Sequence, residues 1–271
     1  MAQVLPLAQE GVARPWIGPE FWTNPLMNWE LSDGRIENTH GGWVNEVHSL
    51  THQLREGDGT FHMSVRLGLL EDPPRSHQEL GFAGFKIGAV GHRNDYRANI
   101  LHGLQNGFCR ELMQRPPVMA GIVSDGRLLV GSRLSNRRLT AEQMKNAVLK
   151  LDVKVVGSNV KTRLSVWHAD REIAVLEATR EREALLGNVA IACHGLNPPE
   201  NFNRDGRVID HARFWFSEWQ LSGNNVEASP GQTIGPILWS QYTLHENTLK
   251  LMAFFVPMED AANKAAEPNF S

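Results

Sequence analysis

Between residues 60 and 70 the chain alternates: Phe61, Met63, Val65, Leu67 and Leu69 fall on one side, His62, Ser64 and Arg66 on the other. A period of two marks a strand with one buried and one open face. The same pattern predicts a strand from residue 149 through Gly157, where Leu149, Leu151, Val153 and Val155 alternate with Lys150, Asp152 and Lys154. Further strands are predicted over 29–31 with 36–37, and over 45–54, 82–90, 118–124, 127–131, 160–167, 172–178 and 187–194. In 45–54, Val47, Ser49 and Thr51 share one side, and His48, Leu50, His52 and Leu54 the other. The strand over 211–221 is aromatic on both sides, Phe214 and Phe216 against Trp215 and Trp219, which predicts a central position buried on both faces.

The punctuation between these runs is that of hairpins. Asp-Gly occurs four times, at Asp33-Gly34, Asp58-Gly59, Asp125-Gly126 and Asp205-Gly206. A type I′ turn needs φ > 0 at both central residues, and glycine adopts it without steric cost. The strongest hairpin is predicted around Asp125-Gly126. Only residues 140–145 suggest a helical turn. Ten or more strands with no helical run between them predict an all-β fold, a two-sheet antiparallel β-sandwich with a C-terminal β-hairpin.

The organisation follows. Residues 1–20 read as a leader, 21–222 as the sandwich, 223–235 as a linker, 236–256 as a hairpin opening a truncated second β domain, and 257–271 as a tail. Residues 91–117 form an irregular excursion, the kind of long segment that often carries function. The hairpin strands hold Ile237, Leu238, Leu249, Leu251, Phe254 and Phe255, too apolar for an isolated ribbon. They are expected to pack on the sandwich or drive self-association.

Charge narrows the partners. The net charge is −3 with the two signs mixed along 271 residues, which offers no basic stripe for nucleic acid. The densest basic cluster, Arg133, Arg137 and Arg138, reads as a solvated loop. No window is long and apolar enough for a membrane helix, and residues 1–14 lack the pattern of a signal peptide. The expected location is the cytoplasm by default, or outside the cell if an N-terminal signal has been trimmed. The two cysteines, Cys109 and Cys193, are too few for a metal site, and Cys193 lies in an apolar strand as a core residue.

Candidate chemistry is sparse. His245-Glu246 is not followed by the second histidine of a zinc protease, and no nucleophile elbow, phosphate loop or dinucleotide fingerprint occurs. No pair of carboxylates sits on alternate residues of one strand, as a sandwich glycosidase requires. His48 and His52, with His62 across the sheet, could face a metal, but four residues of strand span about 13 Å, and polar residues on a solvated face is the plainer reading. Asn94, Asp95, Tyr96 and Arg97 in the excursion offer oxygen ligands for Ca²⁺ and hydrogen bonds for a polar ligand. Trp215 and Trp219 could form a stacking platform for sugar rings, but core packing is the plainer reading because the whole strand is apolar.

A longer comparison sharpens this. Gly84-Phe85-Lys86-Ile87-Gly88-Ala89, Asp95-Tyr96-Arg97, Ala120-Gly121-Ile122 with Asp125-Gly126-Arg127-Leu128, Arg213-Phe214-Trp215-Phe216, and Gly235-Pro236-Ile237-Leu238 with Gln241-Tyr242-Thr243-Leu244 occur in this order. Over residues 20–256 the string resembles the N-terminal region of the alkaline phosphatase D-like metallophosphatase family. The resemblance implies a concanavalin-like jelly roll, then a small β domain, then a two-metal catalytic domain. Of the family's D-x-H, G-D and G-N-H ligands, the first and the last are not met here: no aspartate has a histidine two residues on, and Gly187-Asn188 is followed by Val189. The resemblance therefore implies an accessory module with no catalytic residue and no cofactor of its own, its two-metal site belonging to a missing domain. Its partners would be a glycan, a cell-envelope polymer or that downstream domain. A glycan hydrolase or lyase of the same sandwich type, or a purely structural domain, remains the alternative.

Overall fold

The computed structural model describes residues 3–5, 11–24, 26–41, 45–71, 80–88, 118–181, 185, 187–196 and 212–256. The strands are β1 (Gln3–Val4), β2 (Ala13–Arg14), β3 (Phe21–Asn24), β4 (Trp29–Ser32), β5 (Arg35–Asn38), β6 (Glu46–Leu54), β7 (Gly59–Leu69), β8 (Gly81–Ile87), β9 (Val118–Val123), β10 (Arg127–Val130) and β11 (Arg133–Arg138). After the one-turn helix α1 (Ala141–Met144) come β12 (Ala147–Val156), β13 (Asn159–His168), β14 (Arg171–Glu181), β15 (Gly187–Gly195), β16 (Phe214–Gly223), β17 (Val226–Ala228), β18 (Ile237–His245) and β19 (Thr248–Phe255).

They form two large antiparallel sheets and a separate ribbon. Sheet A runs β14-β13-β12-β7-β16-β5-β4-β2, with β1 also on β16. Sheet B runs β11-β10-β9-β8-β15-β6-β17, with β3 also on β6. The apolar sides of the alternating strands meet between the sheets. Phe61, Met63, Val65 and Leu67 of β7 and Leu149, Leu151 and Val153 of β12 lie in one core with Phe85 and Ile87 of β8 and Val189 and Ile191 of β15. Trp29, Trp219, Phe21, Phe214 and Phe216 fill its centre, with Phe21 stacked on Trp219 at 6.0 Å between ring centroids. Side chains of this size each remove 150–250 Å² from water, so the two sheets are held by burial rather than by any covalent link.

Turn chemistry sets the register. Asp33 and Gly34 adopt φ 45° and 80°, the I′ geometry expected of that pair. Asp125-Gly126 differs from the expectation. The Gly126 amide bonds the Val123 carbonyl at 2.8 Å, and only Gly126 has positive φ, at 89°, the pattern of a tight turn followed by a glycine bulge. The Asp125 carboxylate completes it by accepting from the Arg127 amide at 3.1 Å and its Nε at 2.7 Å. Thr140 caps α1 in a reciprocal box with Gln143. Asp58-Gly59 is not a I′ pair either, since only Gly59 has positive φ, and Asp205-Gly206 lies outside the described residues.

The leader and linker expected at 1–20 and 223–235 contain strands. Gln3–Val4 pairs β16, Ala13–Arg14 pairs β4, and Val226–Ala228 pairs β6. These strands are two or three residues long, too short to show a period. Arg133–Arg138, read as a loop, is the edge strand β11, a position where charged side chains discourage further pairing.

The ribbon β18–β19 stands apart from both sheets. Its base is tied down: the Ile234 amide bonds the Pro19 carbonyl, and Val256 is buried near Trp16. Beyond the base, Trp239, Tyr242, Leu244, Leu249, Leu251 and Met252 are each more than half exposed. Register places Tyr242 opposite Leu251 and Leu244 opposite Leu249 on one face, while Thr243 and Lys250 share the other.

Candidate functional site

The two outer faces of the sandwich differ. On sheet B the outward positions are themselves buried: Ala190 and Ala192 of β15 separate Lys86 of β8 from Glu46 and His48 of β6, and all five are at most 4% exposed. Lys86 Nζ and His48 Nε2 both bond the Glu46 carboxylate, His48 at 2.8 Å. Burial alone would push the Glu46 carboxyl up, but the Lys86 ammonium and then His48 outweigh it and hold it far below the usual range. Among the described residues His48 Nδ1 has no partner. Nearby, burial pushes the Cys193 thiol up to about 12, and it is free rather than bridged.

Sheet A presents an open outer face. The alternation that sends Met63, Val65, Leu149 and Leu151 inward sends Ser64, Arg66, Val148 and Lys150 outward, and register continues the row from Trp167 through Val148 and Arg66 to Ser217. All of these outward residues but Ser217 line a cleft of about 540 Å³, within the range of ligand sites. Trp167 is half-buried, its indole N–H donating to Ser165 at 3.1 Å and Lys150 Nζ lying 4.1 Å from its ring centroid. The β13–β14 turn closes one end, with Ala169 and Asp170 at φ 46° and 59°. Asn146 bridges the wall, accepting from Arg66 at 3.1 Å and from His168 at its own carbonyl at 2.9 Å.

The opposite wall is made by a β-bulge. Between Ser217 and Gln220 the register of β16 against β7 slips, and Glu218 takes φ 52°. The other five non-glycine residues with positive φ, among the described residues, lie in hairpin turns; Glu218 alone lies within a strand. Bulges re-aim side chains and recur beside functional sites. This one turns Glu218 into the cleft, where its carboxylate accepts from Arg66 Nε at 3.0 Å.

The bulge also corrects the sequence reading of the tryptophans. Trp215 lies on the outer face beneath the Arg35 guanidinium, 5.3 Å from its ring centroid. Trp219 is shifted by one position and lies wholly in the core with Phe214 and Phe216, so the two form no common platform and β16 is not buried on both faces. Asn94, Asp95, Tyr96 and Arg97, and the Ca²⁺ site expected there, lie outside the described residues. His48 and His62 sit in different sheets and cannot share an ion. His48 is buried rather than solvated, while His62 is half-exposed and paired with Asp152 at 2.6 Å. Among the described residues no three potential metal ligands cluster, and no helix is long and apolar enough to cross a membrane. Trp167, Lys150, Arg66 and Glu218 were not singled out from the sequence. The alternation puts the first three on the open face, but no local signal marks the bulge at Glu218.

No family model and no curated protein matches the chain. Solved structures do. Lectin UEA-II complexed with galactose aligns at 9% identity and a TM-score of 0.50 over 83% of this chain and 98% of that one. Lectin II from Ulex europaeus aligns at 8% identity and 0.50 over the same shares. At such identities the likeness is one of fold, and the sandwich described above is a concanavalin-like β-sandwich.

Proposed function

We propose that the chain is a glycan-binding accessory module whose cleft on sheet A takes a neutral sugar. The observation that carries this reading is Trp167, a partly exposed indole set among hydrogen-bonding groups in a cleft of about 540 Å³. Sugar rings offer apolar faces for stacking and hydroxyls for side chains such as Ser64, Asn146 and Gln220. Arg66 and Glu218 neutralise each other across the cleft, which suits an uncharged ligand. A neighbour of the same fold is complexed with galactose, which lends support by analogy only. The test is titration of the pure chain against a panel of immobilised neutral glycans. Binding that falls tenfold or more in Trp167→Ala, with circular dichroism unchanged, supports the reading; equal binding by the variant, or none by either, overturns it.

The resemblance to alkaline phosphatase D-like proteins adds a finer proposal, that the module accompanies a metallophosphatase domain. The ribbon β18–β19 supports it, because its exposed apolar face formed by Tyr242, Leu244, Leu249 and Leu251 suits a further β layer. The chain itself lacks the family's metal ligands, so the pure polypeptide should hydrolyse no phosphate ester. Mn²⁺- or Ca²⁺-dependent hydrolysis abolished by a chelator would refute that.

One observation favours a second reading. Two carboxylates, Glu218 and Asp170, line the same cleft, and a pair flanking a glycosidic bond is the equipment of a glycoside hydrolase. Release of reducing ends from a polysaccharide, lost in both Glu218→Gln and Asp170→Asn, would replace a binding module by an enzyme.

A further inference from the structure

The cleft beside Trp167 has a second aromatic station. Gly68 of β7 pairs with Trp215 of β16, and any side chain at residue 68 would collide with the Trp215 ring and the Lys145 carbonyl. The bare Gly68 therefore lets the Trp215 indole lie across β7, beside the cleft wall that begins at Asn146. Measured from Gly68 of β7, which the Trp215 ring covers, Trp167 stands two strands away and two residues along. At ~4.8 Å between strands and ~3.3 Å per residue this is a separation of about 12 Å. Arg66, with Glu218 and Asn146 on its guanidinium, lies between the two rings. Each indole carries a long cationic side chain, Lys150 on Trp167 and Arg35 on Trp215. Cation–π contacts at exposed sites are weak, so a stacking sugar can displace them.

We infer that the ligand class is an extended oligosaccharide or polysaccharide lying across the strands of sheet A, stacked on Trp167 at one end and on Trp215 at the other, rather than a single terminal sugar. The inference rests on the glycan-binding reading and adds to it a second subsite and a direction. A span of about 12 Å is too long for one sugar ring and suits a short run of them. The polar groups between the rings would meet the hydroxyls of the intervening units.

The test is calorimetric titration with cello-, laminari- and chito-oligosaccharides of one to six units. In one of these series affinity is expected to rise tenfold or more as the chain lengthens from two to four units, then level off. Trp215→Ala should cancel the rise while leaving the affinity for the disaccharide unchanged, whereas Trp167→Ala should weaken both. Trp215→Phe, which keeps an aromatic ring over Gly68, should retain most of the rise and so separates loss of stacking from loss of folding. A flat dependence on length, or a rise untouched by Trp215→Ala, overturns the second subsite and leaves the glycan-binding reading standing. Failure of every length to bind, with Trp167→Ala no different from wild type, removes both.

Discussion

Glu218 holds a left-handed backbone in mid-strand while its carboxylate meets Arg66 Nε of the adjacent strand at 3.0 Å. The conformation and the ion pair have opposite effects on stability. A non-glycine residue at positive φ costs about 1 kcal/mol or more, and an exposed ion pair returns at most about 1 kcal/mol.

Glu218→Gly and Glu218→Ala both remove the carboxylate, but only glycine relaxes the backbone. Glu218→Gly is expected to be more stable than Glu218→Ala by about 1 kcal/mol, read from urea unfolding midpoints. Equal midpoints would show that the bulge is unstrained.

Gly126 sits at φ 89° with the Leu139 backbone packed where a side chain would go. Gly126→Val therefore meets both strain and collision, and should cost at least about 2 kcal/mol. Thermal unfolding measures this, and an unchanged midpoint would contradict the geometry of the β9–β10 turn.

Glu46 gives a pH dependence of definite sign. Its folded-state pKa is depressed, so its contribution is fully present above its ordinary value near 4.3 and is lost as pH falls below it. Glu46→Ala leaves the Lys86 ammonium buried without its carboxylate, a change of about 3–5 kcal/mol. The Glu46→Ala, Lys86→Met double variant should recover part of that loss. Acid and urea unfolding of the three proteins would show it, and a double variant no better than the single would locate the stabilisation elsewhere.

Removal of residues 236–271 tests the ribbon. Its large side chains are exposed apart from the Val256 anchor, so the sandwich should stay folded. The four exposed aromatics alone leave roughly 400 Å² of apolar surface at 150–250 Å² per ring, comparable to the largest patch on a typical monomer. Deletion should therefore reduce concentration-dependent association in light scattering. Failure of the shortened chain to fold would place the ribbon within the sandwich core.

How far these features were legible depends on parity. In β7 and β12 every second residue is apolar and every one faces inward, so strand, face and core follow from the sequence. In β16 the same count fails after Ser217, because one extra residue moves Trp219 from the expected outer face to the core. Glu46 and Lys86 were missed for another reason. A lone charge reads as exposed, and only the pairing of β6 and β8 through β15 brings the two together across small alanines. The cleft combines both difficulties: its residues come from β7, β12, β13 and β16, strands assembled from opposite ends of the chain.

That assembly has a kinetic side. β18 and β19 join residues as near in sequence as Leu244 and Leu249, and such a hairpin closes in about 1–10 μs. Leu69 of β7 must wait for Phe214, about 145 residues later, or roughly 7–30 s at ribosomal speeds of 5–20 residues per second. Throughout that interval one flank of β7, with its five inward apolar residues, stays unpaired on the nascent chain. Holding β7 apart from other nascent chains until residue 223 has emerged would then govern how much of the protein reaches its folded form.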